Sequence, residues 1–237
     1  MDLIRSPKIS ISWSGGKDSA LALYQLKLSG EFEITGLHTV INHDNRRLGL
    51  HGIHEELIER QAQAMTLPLN KLYLNADDTT NAYEKLMVDY YMVLRQQGID
   101  HVMYGDIFLD DLKDFRDDIL GKCGLKGVYP LWRRNSTDLL KNFLSSGFKS
   151  IMCAADAEQV PKRLVGQFLS KELIQMDIDP CGENGEYHSF VTDTPMFDKP
   201  IEVENKSIKS KEYEHEILNE SGQTEKQRFR FYFADIA

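Results

Sequence analysis

Near the start of the chain, a predicted strand leads through a tight turn directly into a predicted helix. The strand covers residues 8–13 (KISISW), the helix covers residues 18–28, and Gly15 and Gly16 stand between them. Glycine allows a sharp turn and a close approach of the backbone to another group. This order of elements is typical of a βαβ unit, in which a helix covers a parallel sheet. The segment therefore restricts the first half of the chain to an α/β fold.

The first half repeats this alternation of short apolar runs and amphipathic segments. Further strands are predicted at residues 34–41, 71–74 and 101–107, and further helices at residues 53–65 and 81–97. Strands that alternate with helices of this length indicate a parallel sheet with helices on both faces. We predict a Rossmann-like sheet of about five strands.

The alternation weakens in the second half of the chain. Helices are predicted at residues 110–122, 137–146 and 161–173, strands at residues 149–154 and 228–233, and a short apolar run at residues 128–132. The last strand alternates in polarity and should be half-buried. We predict two domains, a parallel-sheet domain at residues 1–107 and a smaller α+β domain at residues 108–237.

Composition excludes several classes of protein. No stretch approaches the roughly 20 consecutive apolar residues of a membrane span, and residues 1–7 contain no apolar signal segment, so we expect a cytoplasmic protein. The net charge of −9 makes nucleic acid an improbable partner, because phosphate backbones bind Lys and Arg. Cys123, Cys153 and Cys181 form no C-x-x-C pair, which argues against a disulfide framework or a zinc site.

Residues 14–19 (SGGKDS) are suited to binding phosphate. The helix that follows presents unpaired N–H groups and a partial positive charge at its first turn. The hydroxyls of Ser14 and Ser19 can donate to phosphate oxygens, Lys17 adds a charge, and Asp18 can cap the helix or orient a metal ion. The spacing differs from a Walker A loop and from a dinucleotide fingerprint. The alternative is a plain strand–turn–helix connection.

The same residues resemble the signature of the ATP pyrophosphatases, the PP-loop or adenine nucleotide α-hydrolase-like superfamily. The resemblance implies that the loop holds the β and γ phosphates as leaving pyrophosphate, that attack occurs at the α phosphate, and that AMP is formed. It implies ATP and Mg²⁺ as cofactors, with Asp18 as a metal ligand. The implied nucleotide-binding residues of the loop are Ser14, Gly15, Gly16, Lys17, Asp18 and Ser19.

Three further motifs follow in order: residues 50–53 (LHGI), 104–107 (YGDI) and 181–191 (CGENGEYHSFV). Together with the phosphate loop they resemble the diphthine–ammonia ligase family over residues 9–197, and the last motif is most similar to its bacterial-type members. The resemblance implies adenylation of a carboxylate followed by displacement of AMP by ammonia. The implied acceptor is diphthine on elongation factor 2 or an unknown small acid. The first domain would then bind ATP and the second the acceptor, and a homodimer is possible.

Several residues of these motifs are candidates for the site. Gly105 and Asp106 lie at the C-terminal end of a predicted strand, where open α/β sheets bind their ligands, and Arg116 stands at a position that resembles one of the family. If the resemblance is set aside, His51 could be an ordinary helix cap, and the carboxylates of residues 183–188 could belong to a solvated turn. With it, His51 and Gly105 are implied to bind the nucleotide. The implied catalytic residues are Lys17, Asp106, Glu183, Glu186 and His188.

Two other functions remain open at this point. A PP-loop enzyme that modifies tRNA would use the same phosphate loop, but it should carry a basic tract that this sequence lacks. A non-catalytic sensor would bind ATP without turnover.

Overall fold

A computed structural model describes residues 6–49, 51–75, 78–218 and 224–237. Among them no helix has the length and apolar character to cross a membrane. The strands are β1 Lys8–Ser12, β2 Glu33–Asn42, β3 Leu69–Leu74, β4 His101–Met103, β5 Lys126–Val128, β6 Lys149–Asp156, β7 Tyr187–Asp193, β8 Asn205–Leu218 and β9 Thr224–Ile236. The helices are α1 Lys17–Ser29, α2 Glu55–Ala64, α3 Thr80–Gln96, α4 Asp110–Lys122 and α5 Ser136–Ser145, with short 3₁₀ helices at Lys162–Leu164 and Lys171–Gln175.

The first sheet has five parallel strands in the order β3-β2-β1-β4-β5. Ile9 and Ile11 of the central strand β1 are fully buried, as expected for a strand covered on both faces. The Rossmann-like α/β prediction is confirmed. Strand β5 belongs to this sheet although it follows residue 107 in the chain. The division of the chain between residues 107 and 108 stays a prediction.

The second sheet is antiparallel, with the order β7-β6-β9-β8. Strand β6 is buried along nearly its whole length, and the prediction of an α+β second half is confirmed. Strands β8 and β9 form a long hairpin that is held to β6 through Phe231, Tyr232 and Phe233. The main apolar core includes both Leu23 of α1 and Phe190 of β7, so the two sheets share one core.

Two predicted elements are wrong in extent. The strand predicted at residues 101–107 ends at Met103, and the chain continues as a loop. The continuous helix predicted at residues 161–173 is replaced by two short 3₁₀ helices, because Gly166 adopts a left-handed φ of 79° and the following backbone turns back along β6. Leu169 donates its N–H to the Ser150 carbonyl at 2.8 Å. Pairing with β6 therefore overrides the helical pattern of this segment.

Candidate active site

The phosphate loop joins β1 to α1 at the carboxyl end of the central strand. Gly15 has a left-handed φ of 75°, and a Cβ atom there would lie 2.8 Å from Gln61 Oε1. Gly16 is the N-cap of α1 and donates its N–H to Ser14 Oγ at 3.3 Å. The hydroxyls of Ser14 and Ser19 lie 3.1 Å apart. A glycine at position 15 is therefore required by the turn itself and by the residues packed beneath it.

The loop is held in place by strand β7 of the second sheet. Val191 donates its N–H to the Gly15 carbonyl at 2.9 Å, and the Lys17 N–H donates to Ser189 Oγ at 3.2 Å. Gln61 of α2 donates from Nε2 to the carbonyls of Gly15 at 3.1 Å and Val191 at 2.7 Å. The second half of the chain thus helps to fix the conformation of this loop.

The fully buried Gln61 also accepts a hydrogen bond from Trp13 Nε1 at 2.9 Å. We expect Gln61→Met to lower the free energy of unfolding by about 1–3 kcal/mol for each buried partner left unpaired. The exposed Gln63 of the same helix is the control, and Gln63→Met should change stability by about 0.5 kcal/mol or less. Urea unfolding measures both. Equal stability of the two variants would contradict this role for Gln61.

A cavity of about 440 Å³ opens beside the loop, at the carboxyl ends of β1 and β4. A smaller one of about 170 Å³ adjoins it and shares Ser12, Ser14 and His51 with it. Leu50, part of one predicted motif, lies outside the described residues. The larger cavity brings together most of the predicted site residues: Ser14, Gly16, Lys17, Asp18, Ser19, His51, Gly105, Asp106, Glu183 and His188.

Lys17 is buried, with only 4% of its surface exposed. Its ammonium group donates to Asp18 Oδ2 at 2.7 Å and to the Cys181 carbonyl, and it lies 5.0 Å from the centre of the Tyr187 ring. Burial disfavours the charged form, but the groups around the ammonium, Asp18 foremost, together raise the pKa of Lys17. A positive charge that is paired with Asp18 therefore faces the cavity.

Asp106 forms a mostly buried ion pair with Arg116 of α4. Arg116 Nε lies 2.9 Å from Asp106 Oδ2, and Nη2 donates to Oδ1 at 3.1 Å. The guanidinium also stacks on Tyr104, 4.3 Å from the ring centre. Burial raises the pKa of Asp106, and Arg116 opposes this rise. The pair holds a carboxylate at the end of β4 in a fixed orientation.

Gly105 lines the cavity, but the need for a glycine at this position comes from its packing against another part of the protein. A Cβ atom at this position would lie 2.8 Å from both the Asp18 carbonyl carbon and the Ser19 backbone nitrogen. The loop after β4 therefore packs directly against the phosphate loop. We expected Gly105 to allow approach to a nucleotide; the contact that its missing side chain allows is with the loop that would bind the phosphates.

The two predicted glutamates differ in position. Glu183 lines the cavity and accepts a hydrogen bond from the Ile107 N–H at 2.7 Å, and burial raises the pKa of Glu183 to about 7. Glu186 is not among the described residues that line the cavity. Its Oε1 accepts bonds from the Asp179 N–H at 2.9 Å and from Asn184 Nδ2 at 3.1 Å. Its contacts shape the loop that carries Glu183, and its catalytic role stays a prediction.

His188 lies on β7, and its ring contacts that of His51, with 4.6 Å between the ring centres and a tilt of 37°. Burial lowers the pKa of His51 to about 4 and that of His188 well below its usual value. Both rings are therefore neutral at pH 7. A neutral pair beside the charged Lys17 can accept or donate hydrogen bonds without adding charge.

Asp18 was predicted to bind Mg²⁺. Across the described ranges, no group of three His, Cys, Asp or Glu side chains could hold a metal ion by itself. Mg²⁺ is commonly bound by one or two carboxylates together with substrate phosphates. Asp18 lines the cavity, so the residues present fit a metal ion that arrives with a polyphosphate.

Sequence reasoning missed the residues that hold the loops of the site in place. Ser189 and Asp179 bind backbone: Ser189 Oγ accepts from the Lys17 N–H, and Asp179 Oδ2 accepts from the N–H groups of Cys181 and Glu183 at 3.1 and 2.9 Å. Gln61 was not among the predicted site residues. A buried glutamine in an amphipathic helix is a weak signal that could have identified it.

Comparison with known proteins shows the family of the chain. The family models for the N-terminal and C-terminal domains of diphthamide synthase match residues 7–127 and 135–228. The chain is similar to the diphthine–ammonia ligase of Homo sapiens, with 26% identity over 220 residues that cover 82% of each protein. It is similar to that of Danio rerio, with 26% identity over 81% of this chain and 84% of the relative.

Among solved structures, the U34-tRNA thiolase of Methanococcus maripaludis is 16% identical, with a TM-score of 0.35 over 60% of this chain and 58% of that one. The two family models together cover most of the 237 residues. The chain therefore belongs to the diphthamide synthase family.

Proposed function

We propose that this protein is an ATP-dependent amide ligase that adenylates a carboxylate, releases pyrophosphate and transfers ammonia to the acyl group with release of AMP. The observation that carries the proposal is the position of Lys17 and Glu183 in one cavity, beside a glycine loop and a helix N-terminus. The loop supplies donors and positive charge for phosphates. The buried carboxylate supplies a base.

The two adjoining cavities suit the two parts of ATP. The larger contains the phosphate loop, and the smaller has apolar walls that include Trp13, Leu48 and Met87, which suit a flat base. His38 also lines the smaller cavity, and burial lowers its pKa to about 3. Its Nε2 has no partner among the described residues, so a neutral acceptor or donor is available for the polar edge of adenine.

The chemistry follows from these positions. A carboxylate oxygen of the acceptor attacks the α phosphorus, and the bond from that phosphorus to the bridging β oxygen breaks. Lys17 and the N–H groups of α1 stabilise the departing pyrophosphate. Mg²⁺, held by Asp18 and the phosphates, would neutralise charge on the phosphate oxygens. Ammonia then attacks the acyl carbon, the bond to AMP breaks, and Glu183 accepts a proton from the nitrogen.

For the acceptor, we propose a carboxylate on a protein residue such as diphthine or on a small acid. The relatives are named for diphthine and ammonia, which supports the first. The ENGEYH form of residues 183–188 is most similar to the bacterial-type members of the family, which supports the second. The same cavity would serve both acceptors, since the adenylation step is shared.

The test of the proposal is a product assay with α-labelled ATP, Mg²⁺, ammonia and a panel of carboxylic acids. AMP that depends on an acid and on ammonia is the expected result. Release of ADP would contradict cleavage at the α phosphate. Tight ATP binding without any product, with both small acids and cell extract supplied, would favour a sensor. AMP formation that requires tRNA instead would favour a tRNA-modifying enzyme.

The pKa of Glu183 predicts how the rate depends on pH. A glutamate with a pKa of about 7 is protonated below that pH and cannot accept a proton from ammonia. With the concentration of free ammonia held constant, the rate of amide formation should rise about tenfold per pH unit below 7 and level off above it. Glu183→Gln should be slower and lack this step. An unchanged pH profile in that variant would exclude Glu183 as the base.

A further inference from the structure

A recess of about 350 Å³ lies between the segment that follows β2 and the β8–β9 hairpin. None of the predicted site residues lines it. Gly49 lines both this recess and the smaller of the two cavities described above, so one short segment separates them. The residues that determine its chemistry are Arg47, Lys209, Lys211, Tyr213, Phe233 and Asp235.

The register of the hairpin places lysines and aromatic residues on the same face. Lys209 is paired with Phe233, and Lys211 with Phe231, while Tyr213 is two residues further along β8. Alternate residues of a strand share a face, so the two lysines lie across from rings on one face of the hairpin. The rings of Tyr213 and Phe233 lie 6.4 Å apart, edge to face at an angle of 60°. They form an apolar part of the wall beside the cations.

The recess carries an excess of positive charge. Arg47 donates to Asp235 Oδ1 at 3.0 Å and to the Gly52 carbonyl at 2.6 Å, which fixes its guanidinium. Lys209 donates to Asp235 Oδ2 at 2.6 Å. Lys211 lies over the Tyr213 ring at 4.7 Å. Among the described residues that line the recess, Asp235 is the only carboxylate, so three cations face one anion in a chain whose net charge is −9.

We propose that this recess is a second ligand site, which binds an organic anion with a flat apolar body. Its volume lies at the lower end of the roughly 300–1,000 Å³ found for small-molecule sites. The rings stack on the body of the ligand and Lys211 pairs with its charge. In the proposed ligase, this ligand is the part of the acceptor acid that does not react. That role rests on the proposed ligase function, whereas the existence of the site does not.

The experiment uses 8-anilinonaphthalene-1-sulfonate, which has a flat apolar body and one negative charge, as the fluorescent probe. The whole protein should bind one equivalent, and Lys211→Glu should weaken binding at least tenfold. The uncharged analogue N-phenyl-1-naphthylamine should bind the wild type at least tenfold more weakly than the sulfonate. Lys211→Gln is a milder change and should give a smaller loss of affinity for the sulfonate. This variant keeps the test valid if Lys211→Glu fails to fold.

Lys162 provides a matched control. It lies over the Tyr232 ring at 5.6 Å, and Tyr232 is on the opposite face of β9 from Phe233. Lys162→Glu makes the same charge change and should leave the affinity for the sulfonate within twofold of wild type. Equal affinity of the wild type and Lys211→Glu, or equal binding of the uncharged analogue, would overturn the site.

The acceptor role is tested separately. Acids that displace the probe should support AMP release, and Lys211→Glu should raise their KM at least tenfold without changing kcat or the KM for ATP. If displacing acids support no AMP release while other acids do, the acceptor role is wrong and the ligand site stands. If no acid supports AMP release, the ligase proposal fails, and the probe result still decides the site.

Discussion

Lys17→Met should lower the rate of AMP release about 10³-fold, the loss typical of removing a group that stabilises charge formed in a transition state. The buried ammonium lies between Asp18, the Cys181 carbonyl and the Tyr187 ring. Methionine keeps much of the apolar length of the side chain beside Tyr187 but removes the charge that would neutralise the leaving pyrophosphate. The measurement is single-turnover release of AMP from α-labelled ATP.

The control for this variant is Lys27, in the last turn of the same helix and exposed. Lys27→Met should leave the rate within about twofold of wild type, because an exposed charge so far along the helix contributes little. Far-UV circular dichroism of both variants checks the fold. A Lys17→Met protein that folds and releases AMP within tenfold of the wild-type rate would exclude Lys17 from the chemistry.

Gly105→Ala should lower both the affinity for MgATP and the stability of the protein. The added methyl group would lie 2.8 Å from the backbone of Asp18 and Ser19, a contact that side chains do not tolerate. Because the neighbour is backbone at the start of α1, the phosphate loop itself must move. We expect a loss of about 1–3 kcal/mol in the free energy of unfolding and a loss of at least tenfold in MgATP affinity.

Gly121 is the matched control for this substitution. It lies within α4, and a Cβ atom there would meet nothing within 4 Å. Gly121→Ala should stabilise the protein by up to about 1 kcal/mol, since alanine favours a helix more than glycine does. Urea unfolding and calorimetric titration with MgATP measure both variants. Unchanged nucleotide affinity in Gly105→Ala would show that the loop does not depend on this contact.

The local sequence was sufficient for the elements whose patterns agree with their surroundings. The turn at Gly15 and Gly16, the central strand β1 and helix α1 all lie where the sequence predicts them, because a glycine turn between an apolar run and an amphipathic one has few alternatives. The parallel direction of the strands in the first sheet follows from the alternation of strands and helices. The same local reasoning failed at residues 161–173, where pairing with β6 replaced a helix.

Long-range contacts decided what the motifs do. The sequence marks Asp106, Glu183 and Glu186 alike as acidic candidates for catalysis. In the structure Asp106 is paired with Arg116 and lines the cavity with Glu183, whereas Glu186 holds a turn behind it. Burial, which no local pattern specifies, raises the pKa of Glu183 to about 7.

The sequence by itself determined that a glycine turn joins a strand of a parallel sheet to a helix, since the turn and the flanking periodicities are local properties of the chain. Only the tertiary structure decided that β7, from the second sheet, completes that loop through Ser189 and Val191. The reason is physical: hydrogen bonds and burial between residues more than 170 positions apart depend on how the two sheets pack, and no local segment of the sequence encodes that packing.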